Sequence, residues 1–301
     1  MMTKKRILTG KKLNEIKWAC IFLAPMFIGL FVFYIYSFGM NIFYSFTNLD
    51  SLGSFSWIGL DNYVRMFQDR YFYEALFNTF KYVIIAVPSI VILSTLIAVL
   101  LNQKIKFKGI YRTLIFIPAI TMPAAIGLLW RWLYNYQYGV INIILAKFGI
   151  QHVAWLSDGS LVIVSVSVVI VWSMVSYLMI IVLAGLQDIP KVYYEAAIID
   201  GAGPFKTFFC ITLPLLTPTL FFVTVITVIN IFQVFDFILL MIPQGSAGLH
   251  SAMSLVYYFY NQSFVLFDKG YGAAITIVLF FIILIITLIQ LKLQKKWVHY
   301  N

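Results

Sequence analysis

Charge is what this sequence has least of. Asp, Glu, Lys and Arg make up 11% of the 301 residues and hydrophobic types 62%, a balance that excludes an ordinary soluble globule. Cysteine is nearly absent. Cys20 and Cys210 lie in separate regions, which excludes a disulfide framework and a thiolate metal site. His152, His250 and His299 are scattered and offer no metal ligands in a cluster. A nucleotide-binding loop is missing too. The stretch "GAGPFKT" has Asp200 and Phe205 where the G-x-x-x-x-G-K-[ST] spacing needs glycines, so no ATP is expected on this chain. Glu195 and Asp200 could be read as an acid pair, but no His, nucleophile or metal cluster accompanies them, and no catalytic residue is expected.

What is present is apolar length. No charged residue lies between Trp18 and Leu49, Tyr82 and Gln103, Thr113 and Trp130, Gly159 and Gln187, Thr207 and Phe235, or Gly270 and Leu291. Each window is about long enough for the roughly 20 apolar residues that cross a bilayer. The runs are continuously apolar instead of alternating, which favours helices over a barrel. A further charge-free window, 237–267, holds the helix-breaking "PQGSAGLH" and then a Tyr-rich stretch with Asn261 and Gln262. Because Tyr favours the headgroup layer, this stretch is expected to form an interfacial helix. Six spans result, over about 18–42, 77–101, 111–133, 161–186, a fifth ending near Leu240, and 272–291. Pro118 and Pro123 are expected to be tolerated inside span three.

With both termini inside, the outer segments keep only Arg65, Arg70, Lys81, Arg131, Lys147 and Lys269 of the 21 basic residues. That is the positive-inside pattern. Topology therefore accounts for most of the net charge of +10, and no nucleic-acid partner is expected. The first apolar run is too long for a signal-peptide core and no A-x-A site follows it, so it is read as a span. The expected organisation is a basic cytoplasmic arm over 1–17, one six-helix membrane domain over 18–292, and a cytoplasmic tail over 293–301. The fold class is all-α integral membrane, with a cytoplasmic loop at 187–214 between spans four and five.

That loop is the least lipid-like stretch. "PKVYYEAAIIDGAGPF" reads as a short helix from Pro190, stopped at Asp200-Gly201, with a second helix starting at Pro204. Ala196, Ala197 and Gly201 are expected to form a small, exposed face suited to close approach by another backbone. Pro214 and Pro218 are expected to bend the entry into span five.

Glu195, Ala196, Ala197, Gly201, Ile211, Leu213 and Pro214 sit in the register EAA-x3-G-x9-I-x-LP, extended by Asp200, Ala202 and Phe208. The chain thereby resembles the membrane subunits of bacterial binding-protein-dependent ABC importers. "WIGLDNYVRMF", "RTLIFIPAITMPAAIGLLWRWLY" and "DKGYGAAITIVLFFIIL" make it similar to the compact carbohydrate permeases of the first-permease type, over nearly the whole chain. It lacks the extra N-terminal spans and outer domain of the enterobacterial maltose permease. The resemblance implies a coupling helix at Glu195–Gly201 that fits a groove on a cytoplasmic ATPase dimer, with Leu213-Pro214 as a link to span five. It also implies ATP and Mg on that partner, a second homologous permease subunit, an external binding protein, and a carbohydrate carried across the bacterial cell membrane by alternating access.

Polar side chains within spans four and five are the candidate substrate contacts: Trp172, Ser173, Ser176 and Tyr177, then Thr227, Asn230 and Gln233. Hydroxyls, amides and aromatic rings suit a sugar. Equally, such groups can serve only to bond helices together. Asp236 is read as a functional acid or a helix-end charge at the outer end of span five. A glycerol-phosphate permease would call for a cationic cavity, and no Arg or Lys is expected in the interior of the bundle. An ion-coupled secondary transporter would place ionisable groups at mid-membrane, where none occur. A receptor or assembly factor could use the same docking helix without transport.

Overall fold

The computed structural model describes residues 10–103 and 105–297; His299 and parts of the expected arm over 1–17 and tail over 293–301 lie outside them. Among the described residues there is no β-strand, only an isolated bridge between Thr47 and Trp57. The helices are α1 (10–44), α2 (Asp61–Gln68), α3 (Arg70–Asn102), α4 (Lys108–Ile120), α5 (Pro123–Leu133), α6 (Val140–Lys147), α7 (Val162–Gln187), α8 (Lys191–Ile199), α9 (Pro204–Phe232), α10 (Asp236–Met241), α11 (Ala247–Ala252), α12 (Leu255–Tyr260) and α13 (Lys269–Trp297). Five are long and apolar enough to cross a membrane: Lys17–Tyr44 of α1, then α3, α7, α9 and Lys269–Lys295 of α13.

Span three is not one continuous helix. α4 and α5 meet at 97°. Met122 precedes Pro123 and takes the extended conformation, φ −58° and ψ 133°, that a following proline ring favours. Pro123 then opens α5, where a missing N–H costs nothing. α5 packs against α10 so closely that a Cβ on Gly127 would come within 2.9 Å of Leu240 Cβ.

The core lies between α3 and α7. Tyr82 and Ile90 of α3 and Ile170, Leu178 and Met179 of α7 are fully buried. Tyr82 Oη donates to the Ala252 carbonyl at 3.0 Å, Asn78 Nδ2 to the carbonyls of His250 and Met253, and Thr79 Oγ1 accepts from Leu255 N at 2.9 Å. Side chains of α3 thus satisfy the backbone of the α11–α12 connection, which has no ladder of its own.

Two further expectations change. Span five ends at Phe232, not near Leu240. The chain breaks at Gln233–Phe235, and the carbonyl of Val234 is caught by the hydroxyl of Ser254 at 2.6 Å. Asp236 is exposed and sits in the first turn of α10, where the helix dipole favours an acid. The Tyr-rich stretch is packed into the protein instead of lying free on its surface. Leu255, Tyr257 and Tyr258 are buried, and α12 packs on α3 and α13. Pro214 and Pro218 do not break α9. A wide π turn at Phe208–Thr212 precedes Pro214, an adjustment that lets a membrane helix carry a proline.

Candidate functional site: the exposed helix between α7 and α9, and the polar faces of the bundle

α8 begins after Pro190 and ends in a turn built by its own sequence. Gly201 has φ +69°, a left-handed conformation that side chains rarely adopt. Its N–H donates to Ile198 O at 3.1 Å, and Ala202 N–H donates to Ala197 O at 2.9 Å. This pair of bonds is the Schellman arrangement, which satisfies carbonyls that a helix end leaves open. Tyr194 Oη lies 3.3 Å from Thr212 Oγ1, so α8 is tied to the π turn of α9. Behind it, Gly185 of α7 meets Thr219 of α9 with no room for a Cβ.

The exposed face of this unit differs from the expected one. Glu195, Ala196, Asp200 and Gly201 are exposed and Ala202 is half-buried, but Ala197 turns inward and is buried. Leu213 and Pro214 are half-buried where α9 begins its regular course. The protruding surface carries large apolar residues: Ile198 is 75% exposed, Ile199 85% and Phe205 84%. Isolated apolar side chains on a surface need no explanation, but three this close together make this a candidate interaction face.

The candidate substrate residues divide among four environments. Trp172 lies edge-on to Trp130 at 5.7 Å and, with Ser176, lines an apolar hollow of about 690 Å³ between α3, α4 and α7. Ser173 and Tyr177 lie on another face of α7, half-buried and 54% exposed respectively. Thr227 is fully buried and donates to Val223 O at 2.6 Å, so it serves its own helix. Asn230 and Gln233 are exposed on one face of α9, their amides donating to Ile226 O and Ile229 O. No cluster of three or more His, Cys, Asp or Glu able to hold a metal occurs among the described residues.

Sequence reasoning missed a polar knot at the end of the bundle that holds α2, the start of α3, and α12. Asp69 caps α3, accepting from Tyr71 N at 2.9 Å and Phe72 N at 3.4 Å, and its other oxygen accepts from the hydroxyls of both Tyr258 and Tyr271. Arg65 pairs with Asp268 at 2.5 Å and lies 4.1 Å from the Tyr271 ring centroid. Partial burial pulls the Arg65 guanidinium down, but the hydrogen bond and charge of Asp268 leave it above its ordinary value. The one local signal was Asp69 itself, an acid directly before a helix.

Residues 67–299 match the family described as binding-protein-dependent transport system inner membrane component. The chain belongs to that family. It is 38% identical over 284 residues to a probable ABC transporter permease protein, YesP, of Bacillus subtilis (strain 168), covering 93% of this chain and 91% of that one. It is 32% identical over 279 residues to the sulfoquinovosyl glycerol transport system permease SmoG of Agrobacterium fabrum, covering 92% and 90%. An sn-glycerol-3-phosphate transport system permease, UgpA of Escherichia coli (strain UTI89 / UPEC), is 32% identical over 285 residues, covering 93% and 95%. A bacterial alginate ABC transporter, solved in complex with an alginate pentasaccharide-bound periplasmic protein, aligns with a TM-score of 0.86 at 21% identity, over 95% of this chain and 96% of that one. That last likeness is one of fold alone. The chain is therefore a permease component of ABC transport, with the five membrane-length helices and one bent pair described above.

Proposed function

We propose that this chain is one permease subunit of an ATP-driven importer that brings a carbohydrate into the cell. The observation that carries the reading is α8 with its Gly201 turn. It stands between two membrane-length helices and presents Ile198, Ile199 and Phe205 outward, largely uncovered by the described residues. That unit is the coupling helix, and it seats in a groove of a cytoplasmic ATPase dimer that binds ATP and Mg. It lies on the cytoplasmic side, as do both termini, and the basic arm over 1–17 and tail over 293–301 flank a single membrane domain. A second homologous permease faces this one, and an external binding protein delivers the substrate.

Alternating access follows from the connections. α8 is bonded to α9 through Tyr194 and Thr212, and α7 meets α9 at Gly185 and Thr219. Motion imposed on α8 therefore reaches both helices that carry the exposed polar groups. Substrate need only prefer one state over the other to be coupled to that motion. Tyr177, Asn230 and Gln233 are the contacts, with Ser173 beside Tyr177. Trp172 and Thr227 are placed differently and act through packing.

The test is uptake by the assembled transporter in proteoliposomes. Tyr177→Ala and Asn230→Ala are each expected to weaken apparent substrate affinity about tenfold, the effect of removing one well-placed hydrogen bond or aromatic contact. Thr227→Val should leave affinity within about twofold, since its hydroxyl bonds only its own helix. Equal affinity in all three variants would remove α7 and α9 from the substrate path.

A further inference from the structure

A second hollow, of about 730 Å³, opens beside the N-terminal half of α3, away from α8. Arg70, Tyr71, Glu74, Asn78, Lys81 and His250 line it, and Ser251 and Gly159 close its far side. Arg70, Glu74 and Lys81 recur at helical spacing and so share one face of α3, with Arg70 and Lys81 about 16 Å apart along the axis.

The two cations are not equivalent. Arg70 Nε donates to Glu74 at 2.7 Å, so its charge is matched. Lys81 is exposed and meets no carboxylate among the described residues; its ammonium reaches only the Asn78 amide oxygen, at 3.3 Å. Asn78 is itself held, because its Nδ2 donates to the carbonyls of His250 and Met253. The Lys81 contact thus sits on a fixed acceptor. One wall is aromatic, with the Tyr71 and His250 rings 5.7 Å apart. On the other, Gly159 packs closely on Ser251, since a Cβ on Gly159 would come within 2.6 Å of Ser251 Oγ.

Lys81 is also the last charge before the apolar window 82–103. Below it on the same face, Ile84 is 69% exposed and Ile92 57% exposed. A lysine at this position can hold its ammonium in the headgroup layer, where an oxyanion can meet it. We propose that this hollow binds a polyol carrying a single oxyanion, with the oxyanion on Lys81 and the hydroxyls toward Glu74 and Ser251. Two sources have that chemistry: the head group of an outer-leaflet phospholipid, whose chains would follow Ile84 and Ile92, and an acid-bearing carbohydrate arriving for transport. The proposal uses the orientation given under Proposed function but not the transport reaction, and its test is direct binding.

The assembled transporter is placed in nanodiscs of phosphatidylcholine. Phosphatidylglycerol is added stepwise in one arm, with retained lipid counted by native mass spectrometry. In the other arm glucuronate, glycerol 3-phosphate and neutral maltose are titrated by calorimetry. Lys81→Gln is expected to lower oxyanion binding about tenfold, Lys81→Arg to retain it, and Lys147→Gln, at the end of α6, to leave it unchanged. Lys81-dependent retention of phosphatidylglycerol alone assigns the lipid source, and Lys81-dependent binding of glucuronate or glycerol phosphate alone assigns the soluble one. The proposal is overturned if neither binds, if maltose or phosphatidylcholine binds equally well, or if Lys147→Gln reduces binding as much as Lys81→Gln.

Discussion

Gly201→Val is expected to reduce ATP-driven uptake about tenfold or more while the membrane bundle stays folded. Nothing lies within 4 Å of a Cβ built on Gly201, so space is not the obstacle. The obstacle is the backbone. At φ +69° a side chain crowds the adjacent peptide, at a cost of about 1–2 kcal/mol, and a branched one does worse. The chain escapes by leaving the left-handed conformation, which breaks the bonds from Gly201 N to Ile198 O and from Ala202 N to Ala197 O. The end of α8 then unwinds and Ile198 and Ile199 lose their common orientation. Gly203→Ala is the matched control, because Gly203 has φ −71° and open space around it. Uptake rate and co-purification of the ATPase, measured together, separate the two. Full activity in Gly201→Val would mean that the turn does not set the docking surface.

Asp69→Ala has the largest expected effect on stability, a loss of about 3–7 kcal/mol. One carboxylate accepts two backbone N–H groups and two tyrosine hydroxyls, and Tyr258 and Tyr271 are 4% and 0% exposed. Removing it takes a helix cap worth about 1 kcal/mol and strands two buried hydroxyls at about 1–3 kcal/mol each. The sign of a second comparison is diagnostic. Adding Tyr258→Phe and Tyr271→Phe to Asp69→Ala should recover part of the loss, because no donor is then left unpaired. Unfolding in detergent, followed by circular dichroism, reads both. A triple variant less stable than the single one would show that the hydroxyls have other partners.

Much of the molecule was legible because its signals are local. Five of the six apolar windows form membrane-length helices, since length and continuous hydrophobicity act within one segment. The helix-and-turn at 190–201 was legible for the same reason: Pro190, Gly201 and Pro204 each dictate their own backbone. The break between α4 and α5 was not, because prolines are tolerated inside spans and the residues alone do not say whether a neighbour will satisfy the freed groups. The end of α9 was hidden too. Residues 237–242 are as apolar as the span before them, and the group that makes the break affordable is Ser254, twenty residues further on. The Tyr-rich stretch holding Tyr258 read as a headgroup segment and Tyr271 carried no signal, because the acid that accepts them is 189 and 202 residues away. The outward face of α8 was only half legible. The residues marked the turn at Gly201, but burial of Ala197 shifts the exposed surface from small residues to Ile198, Ile199 and Phe205.

The central claim is that an external motor drives carbohydrate through this chain by way of α8. Its most direct measurement is carbohydrate uptake into proteoliposomes that hold this permease, its partner permease and the ATPase, with binding protein outside and ATP inside. Uptake is expected only when all four proteins and ATP are present, and ATP hydrolysis should rise with substrate-loaded binding protein. Uptake driven by a proton or sodium gradient through this chain alone, without ATPase or ATP, would contradict the account.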